Sequence, residues 1–310
     1  MTTVPVEAVV ERPTTTRLMV CYAAIASALP YLVLKILWVS GSTVGITDPE
    51  FAEDGSLLAL NLLTLLMDAV AILLVLAFTY RWGLRLPAWL VLLPIFVGSG
   101  LLGPIAVGAP VALVATAVSG GEPDSVTDLP LEGWVIPLVY GGFVVLGVLL
   151  LTAFLLYARA RWFEVFSDRT PGLPMADRVL AAGGTLLALV AAALLVADAF
   201  EPGEVVSSAV SLSAVKALLA LAAAAGVWAL HPTGRRRFLL PMLAAWVGSA
   251  ALLAWGGWSL LNTLGGTALV TAEVGPRAIV GGLAQFLGGV LLAVVLVQAQ
   301  RRVTGAAAPW

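Results

Sequence analysis

Residues 57–85 read LLALNLLTLLMDAVAILLVLAFTYRWGLR, and this stretch decides the fold class. Its first part, residues 57–80, is apolar apart from a few polar side chains, and Arg81 and Arg85 follow at once. An α-helix needs about 20 apolar residues to cross a hydrocarbon core about 30 Å thick. The stretch therefore predicts a membrane-spanning helix that ends at a basic boundary.

The rest of the chain repeats this pattern. It is 61% hydrophobic and 11% charged over 310 residues, whereas soluble domains average about 25% charged residues. Stretches that qualify as spans are 18–40, 57–80, 87–110, 134–158, 178–199, 207–230, 238–261 and 278–299. We therefore predict an all-α, polytopic integral membrane protein with eight transmembrane helices embedded in a lipid bilayer.

Charge alternates along the loops between these spans. Thirteen of the 16 Lys and Arg residues fall on one side, and Arg277 alone falls in the loops of the other. The loops of that other side are acidic and read TDPEFAEDG, GEPDSVTDLPLEG and DAFEPGE. Because basic loops stay in the cytoplasm, both termini are predicted to be cytoplasmic. The Arg-, Ala- and Leu-rich composition favours a multi-pass protein of a bacterial plasma membrane.

Two pairs of spans resemble each other. LLPIFVGSGLL (92–102) resembles PMLAAWVGSAALL (241–253), and YGGFVVLGVLLLTAFLLYARAR (140–161) resembles VGGLAQFLGGVLLAVVLVQAQRR (280–302). Both matches have parallel direction, as a 4 + 4 tandem duplication would produce. Spans 1–2 match spans 5–6 poorly, and chance similarity is common in Ala-, Leu- and Gly-rich sequence, so duplication and chance both stay open. The predicted parts are a disordered tail (1–16), a first half (17–161), a cytoplasmic linker (162–177), a second half (178–302) and a cytoplasmic tail (303–310).

The third span is unusually long. Residues 87–118 are all apolar or small, and one straight helix of this length would reach about 48 Å. Pro94, Pro104 and Pro110 interrupt it, and proline removes a backbone hydrogen bond. We predict a helix broken near 103–110, followed by a segment at the interface. Such a break either lines a cavity or belongs to a kinked structural helix.

Three ionisable residues lie well inside spans: Lys35, Asp68 and Lys216. Asp68 and Lys216 fall at nearly the same depth near the midplane, so we predict that they meet. Lys35 either pairs with Asp68 or extends its amine toward the interface. The predicted intramembrane polar site comprises these residues together with Asn61, Thr64 and Ser213. It serves a substrate or a proton, or it is a structural pair that fixes helix register.

The sequence contains few residues in patterns that are typical of catalysis or of metal binding. His231 is the single histidine and Cys21 the single cysteine, so no metal or cofactor is predicted. Ser99 in FVGSGLLG has no membrane-embedded histidine to act as its base. The arginine-rich loops are typical of lipid contacts rather than of nucleic-acid sites. An enzyme is therefore not expected.

Two functions remain open. One is a small transporter or permease-like protein that takes a small-molecule substrate at the midplane polar site. The other is a non-catalytic membrane subunit or scaffold, which binds another membrane protein or a second copy of itself. A cavity that reaches Asp68 from one side would favour transport, and a dry, tightly packed interior would favour the subunit.

Overall fold

The computed structural model describes residues 14–119, 129–162, 174–200, 208–230, 239–270 and 274–303. In these ranges the chain is all-helical, with eight helices long and apolar enough to span a membrane. The protein is therefore a multi-pass membrane protein. Most of the predicted N-terminal tail, linker and C-terminal tail, and also His231, lie outside the described residues.

The helices follow the predicted spans closely. They are α1 (Thr15–Val39), α2 (Pro49–Glu53), α3 (Gly55–Thr79), α4 (Ala88–Ser119), α5 (Val135–Arg161), α6 (Met175–Ala199), α7 (Ser208–Ala229), α8 (Leu239–Gly265) and α9 (Pro276–Val303). The short helix α2 lies in a loop, and the others are the candidate spans. Apart from the far end of α4, their limits differ from the prediction by only a few residues.

The two ends of the bundle differ in charge. The arginine-rich end carries Arg17, Arg81, Arg85, Arg159, Arg161, Arg178 and Arg301. The acidic end carries Asp48, Glu50, Glu53, Asp54 and Glu132. At the acidic end Asp54 caps α3, because its Oδ1 accepts the Ser56 N–H at 2.7 Å. Hydrogen bonds from Ser56 lower the pKa of Asp54, so the charged cap is retained in mildly acidic solution.

Helix α4 is continuous over Ala88–Ser119, in place of the predicted break near 103–110. Pro94, Pro104 and Pro110 all lie inside it. A proline removes one backbone hydrogen bond, whereas a full break in hydrocarbon leaves several groups unpaired at several kcal/mol each. The continuous helix is therefore the more stable arrangement. It is about 48 Å long, which exceeds the thickness of a hydrocarbon core of about 30 Å.

The two halves of the chain are packed differently. Helices α6, α7, α8 and α9 form a closed ring in which each helix packs along two others. In the first half α1 packs on α3 and α5, and α5 packs on α4, but α3 and α4 make few contacts. Helix α4 joins the halves by packing against α7 and α8. No matching interface forms between α3 and α8, so the halves meet asymmetrically, and the tandem duplication stays a prediction.

The α4–α8 interface is close and specific. A Cβ on Gly100 would lie 2.1 Å from the Ala250 carbonyl oxygen, so the two backbones touch at this point. The Nε1 of Trp246 donates to the Ser99 Oγ at 3.1 Å, and its ring meets Phe96 edge-on at 5.0 Å. These contacts hold one side of α4 against α8.

The arginine-rich end of the first half is closed by hydrogen bonds. The Tyr157 hydroxyl donates to the Gly83 carbonyl at 2.8 Å. Arg161 donates to the same carbonyl at 3.3 Å and to the Leu86 carbonyl at 2.5 Å. Phe78 is fully buried beside Tyr157, with ring centres 5.0 Å apart. This end is therefore tightly packed, in contrast to the middle of the half.

Candidate functional site

Two adjoining cavities occupy the first half. The vestibule, nearer the acidic end, has a volume of about 180 Å³. Its wall includes Lys35, Trp38 and Asn61 from the helices, and Phe51 and Leu131 from the loops. Because loop residues of the acidic end form part of its wall, the vestibule lies between these loops and the interior of the bundle.

The inner cavity lies deeper and has a volume of about 370 Å³. Its wall includes Asp68 of α3, Pro94 and Leu101 of α4, Leu150 of α5 and Trp255 of α8. It occupies the place where α3 packs only weakly on α4 and forms no extensive interface with α8. The asymmetry between the two halves is therefore what creates the cavity.

A collar of shared residues joins the two spaces. Its members are Tyr31, Thr64, Tyr140, Phe143 and Trp258, each of which lines both cavities. The rings of Tyr31 and Phe143 meet edge-on, with centres 4.9 Å apart. The vestibule and the inner cavity are therefore neighbouring compartments on one route, separated by mostly aromatic side chains.

Lys35 belongs to the vestibule. It is only 6% exposed, so it does not extend its amine to the interface. Its Nζ donates to the Asn61 Oδ1 at 2.7 Å. The same Nζ lies 4.9 Å from the centre of the Tyr31 ring and 5.4 Å from that of Trp38. Lys35 is thus stabilised by an amide oxygen and by two aromatic faces.

Asp68 belongs to the inner cavity. It lies near the middle of α3, about 20 Å along the helix from Gly55, and is 8% exposed. Among the described residues, its Oδ2 has no hydrogen-bond partner. No Lys or Arg nitrogen of the described residues lies within 4.0 Å of its carboxylate. Asp68 therefore has no direct ionic partner among the described residues: the alternative pairing with Lys35 is not a contact, and the two charges attract each other only through space.

Lys216 does not form the predicted ion pair with Asp68. Its Nζ instead lies 4.8 Å from the centre of the Trp255 ring. Ser213, one turn earlier on α7, lines neither cavity. The cause is the packing of α7 against α4 and α8 rather than against α3. The predicted pair was wrong because it rested on similar depth along two helices, and depth alone does not show that two side chains face each other.

Trp255 is a site residue that the polar pattern missed. Its Nε1 is shielded from solvent and has no hydrogen-bond partner among the described residues, and the residue lines the inner cavity beside Asp68. The sequence does contain a sign that Trp255 is unusual. This tryptophan lies in the middle of a span, away from the headgroup region that tryptophan prefers. Both of the unpartnered buried polar atoms found in the described structure thus belong to the wall of one cavity.

The predicted polar stripe of α3 runs along both compartments. Asn61 lines the vestibule, Thr64 belongs to the collar and Asp68 lines the inner cavity. The Thr64 hydroxyl donates to the Leu60 carbonyl at 2.8 Å, which holds it against its own helix. Asn61 and Asp68 are seven residues apart, or about 10 Å along the helix. The polar stripe therefore lies on the face of α3 that lines the vestibule, the collar and the inner cavity.

These groups can bind a polar part of a ligand. A carboxylate and an indole N–H supply an acceptor and a donor, and no nucleophile with an adjacent base accompanies them at the inner cavity. In the part of the chain that the structure describes, no cluster of three His, Cys, Asp or Glu side chains could hold a metal ion.

Comparison of the chain with models of known protein families, with characterised proteins and with solved structures finds no match.

Proposed function

We propose that this protein is a small permease-like transporter whose binding site is the inner cavity. One observation carries the proposal: the unpartnered Oδ2 of Asp68 and the unpartnered Nε1 of Trp255 belong to side chains that line the same cavity. A polar group buried without a partner costs about 1–3 kcal/mol in proteins. A binding site explains two such groups on one cavity wall, because a bound ligand would supply their missing hydrogen-bond partners.

A purely structural role accounts for these groups less well. A residue that fixes helix register does so through a partner, as Lys35 does with Asn61 at 2.7 Å. Asp68 has no comparable bond at its Oδ2. Intramembrane carboxylates that face a cavity are typical of substrate and proton pathways.

The route to the site supports transport from one end of the bundle. The vestibule begins among the loops of the acidic end, and the collar separates it from the inner cavity. Tyr157 and Arg161 close the opposite end. Transport requires a second arrangement that opens that end, and the weakly packed α3–α4 boundary is where we propose that the bundle opens.

The orientation follows from the loop charges. We propose that the arginine-rich end faces the cytoplasm of a bacterial cell and that the protein lies in the plasma membrane. Both termini would then be cytoplasmic. The vestibule would then lie on the outer side of the membrane, with the collar between it and the binding site.

The alternative function, a non-catalytic subunit or scaffold, receives no specific support. Large apolar side chains such as Leu186, Leu218 and Leu240 are exposed on the second half. Lipid contact requires such side chains on any spanning helix. They therefore do not indicate a protein partner or a homo-oligomer.

A test uses cysteine accessibility from each face of the membrane. Replacing the single cysteine by Cys21→Ser leaves a background without thiols. Leu101→Cys then places one thiol on the wall of the inner cavity. The matched control is Ala220→Cys, at a fully buried position of α7 outside both cavities.

The protein is reconstituted in vesicles, and a charged, membrane-impermeant thiol reagent is added to one face at a time. Transport predicts that Leu101→Cys reacts from both faces and that Ala220→Cys reacts from neither. Reaction of Leu101→Cys from one face only would indicate a binding site without transport. Failure to react from either face would contradict the proposal and favour the subunit role.

A further inference from the structure

We propose that the inner cavity binds lipophilic amines, meaning apolar molecules with one protonated amino group that is placed beside Asp68. This inference rests on the proposed function, because it names the ligand class of the same site. Three features of the cavity support this ligand class: the charge of its wall, the apolar surface around that charge and the route by which a ligand can reach it.

Asp68 supplies the negative charge of the cavity wall. Its carboxylate lacks a positive nitrogen within 4.0 Å among the described residues, and its Oδ2 lacks any hydrogen bond. Lys35 donates to Asn61 in the vestibule, and Lys216 lies against Trp255. The cavity is therefore the space from which a partner can come. Because the terminal torsion of Asp is broad, a small rotation directs either oxygen toward a ligand.

The surface around Asp68 requires an apolar ligand body. Pro94, Leu101, Leu150 and Phe143 line the cavity, with Trp258 at the collar. Ligand sites for small molecules typically measure about 300–1,000 Å³ and are mostly apolar with a few placed polar groups. The inner cavity, at about 370 Å³, has this character. A strongly hydrated ligand would leave its other polar groups without partners there.

The aromatic collar favours a cation over an anion. Tyr140 and Phe143 line the cavity at the collar, and aromatic rings attract ammonium groups. The acidic end beyond the vestibule carries Asp48, Glu50, Glu53 and Asp54. A negative surface of this kind concentrates cations near the mouth of the route.

The cavity also reaches the lipid-facing surface of the bundle. Leu66 lines the inner cavity and is 62% exposed, so the wall extends to the outside between α3 and α4. These helices make few contacts with each other. A lipophilic amine dissolves in the bilayer and can therefore enter sideways, without passing the positive charge of Lys35.

The test compares three probes with the same apolar body and different head groups: 1-adamantanamine, 1-adamantanol and 1-adamantanecarboxylate. Binding to the purified full chain in detergent is measured by calorimetry at neutral pH. The amine should bind about 10- to 100-fold more tightly than the alcohol, as a charge-assisted hydrogen bond predicts. The carboxylate should bind most weakly.

Two variants identify the group responsible. Asp68→Asn should abolish the preference for the amine over the alcohol. Asp198→Asn, which removes an exposed acidic charge of the second half that lines neither cavity, should leave the preference unchanged. Equal binding of amine and alcohol by the unmodified chain, or an undiminished amine preference in Asp68→Asn, would overturn the inference.

A second measurement keeps Asp68 in place, in case Asp68→Asn folds poorly. In the Cys21→Ser, Leu101→Cys chain, 1-adamantanamine should slow thiol labelling at concentrations where 1-adamantanol does not. Equal protection by both probes would overturn the ligand class. Labelling from both membrane faces without amine preference would leave transport standing. An amine preference with labelling from one face would support the ligand class and contradict transport.

Discussion

The ammonium group of Lys216 lies over the indole ring of Trp255, 4.8 Å from its centre, and the same indole forms part of the wall that contains Asp68. Trp255 is thus the residue that Lys216 and the inner cavity share. The lysine is stabilised by an aromatic face, while the carboxylate keeps an oxygen without a partner. Lys216 therefore lies against an aromatic ring and Asp68 lies at the inner cavity, although the two residues are at similar depth along their helices.

The first prediction concerns the bond between Lys35 and Asn61. Asn61→Leu removes the acceptor that lies 2.7 Å from the Lys35 Nζ. We expect the free energy of unfolding to fall by about 1.5–3 kcal/mol, the range for hydrogen bonds to charged groups. Denaturant unfolding in detergent measures the change. The double variant Lys35→Met, Asn61→Leu should recover most of the loss, and strictly additive losses would show that the bond contributes nothing.

The spans could be predicted because their signals are local and redundant. Apolar length and alternating loop charge each indicate the same eight helices, and their limits agree with the structure within a few residues outside α4. The limit of α4 was misplaced because three prolines suggested a break. Local propensity does not include the cost of unpaired backbone groups in hydrocarbon, and that cost favours one helix over Ala88–Ser119.

The second prediction concerns the close approach of α4 and α8. A Cβ on Gly100 would lie 2.1 Å from the Ala250 oxygen. Gly100→Ala should therefore lower the free energy of unfolding by about 1–3 kcal/mol, as overpacking does. The matched control is Gly98→Ala, whose Cβ would meet only the Leu150 Cδ2 at 3.8 Å. A thermal melt in detergent should separate the two variants, and similar melting temperatures would contradict this packing.

The third prediction concerns orientation. In the Cys21→Ser background, Gly133→Cys places an exposed thiol at the acidic end and Ala160→Cys places one at the arginine-rich end. An impermeant maleimide added to intact bacterial cells should label the first position and leave the second unlabelled. After cell lysis both positions should react. The reverse pattern in intact cells would overturn the proposed cytoplasmic location of the termini.

The candidate site could be predicted only in part. The residue types of the stripe on α3 indicated Asn61, Thr64 and Asp68 correctly as residues of one face, because i, i+3, i+7 spacing is a local property. The partner of each charge depends on which way a neighbouring helix is turned and where it packs. The sequence gives no direct signal for this, so Lys216 was matched with Asp68 and Trp255 was not included.

The proposed function depends on Asp68 as an unpartnered acidic group beside a cavity for a ligand. Asp68→Leu tests it most directly, with Met67→Leu, on the same cavity wall, as the control. The measurement is the free energy of unfolding of the ligand-free protein in detergent. Our account predicts that Asp68→Leu raises it by about 1–3 kcal/mol, because an unsatisfied buried polar group is removed. A loss of about 3–5 kcal/mol, as follows the breaking of a buried ion pair, would contradict the account.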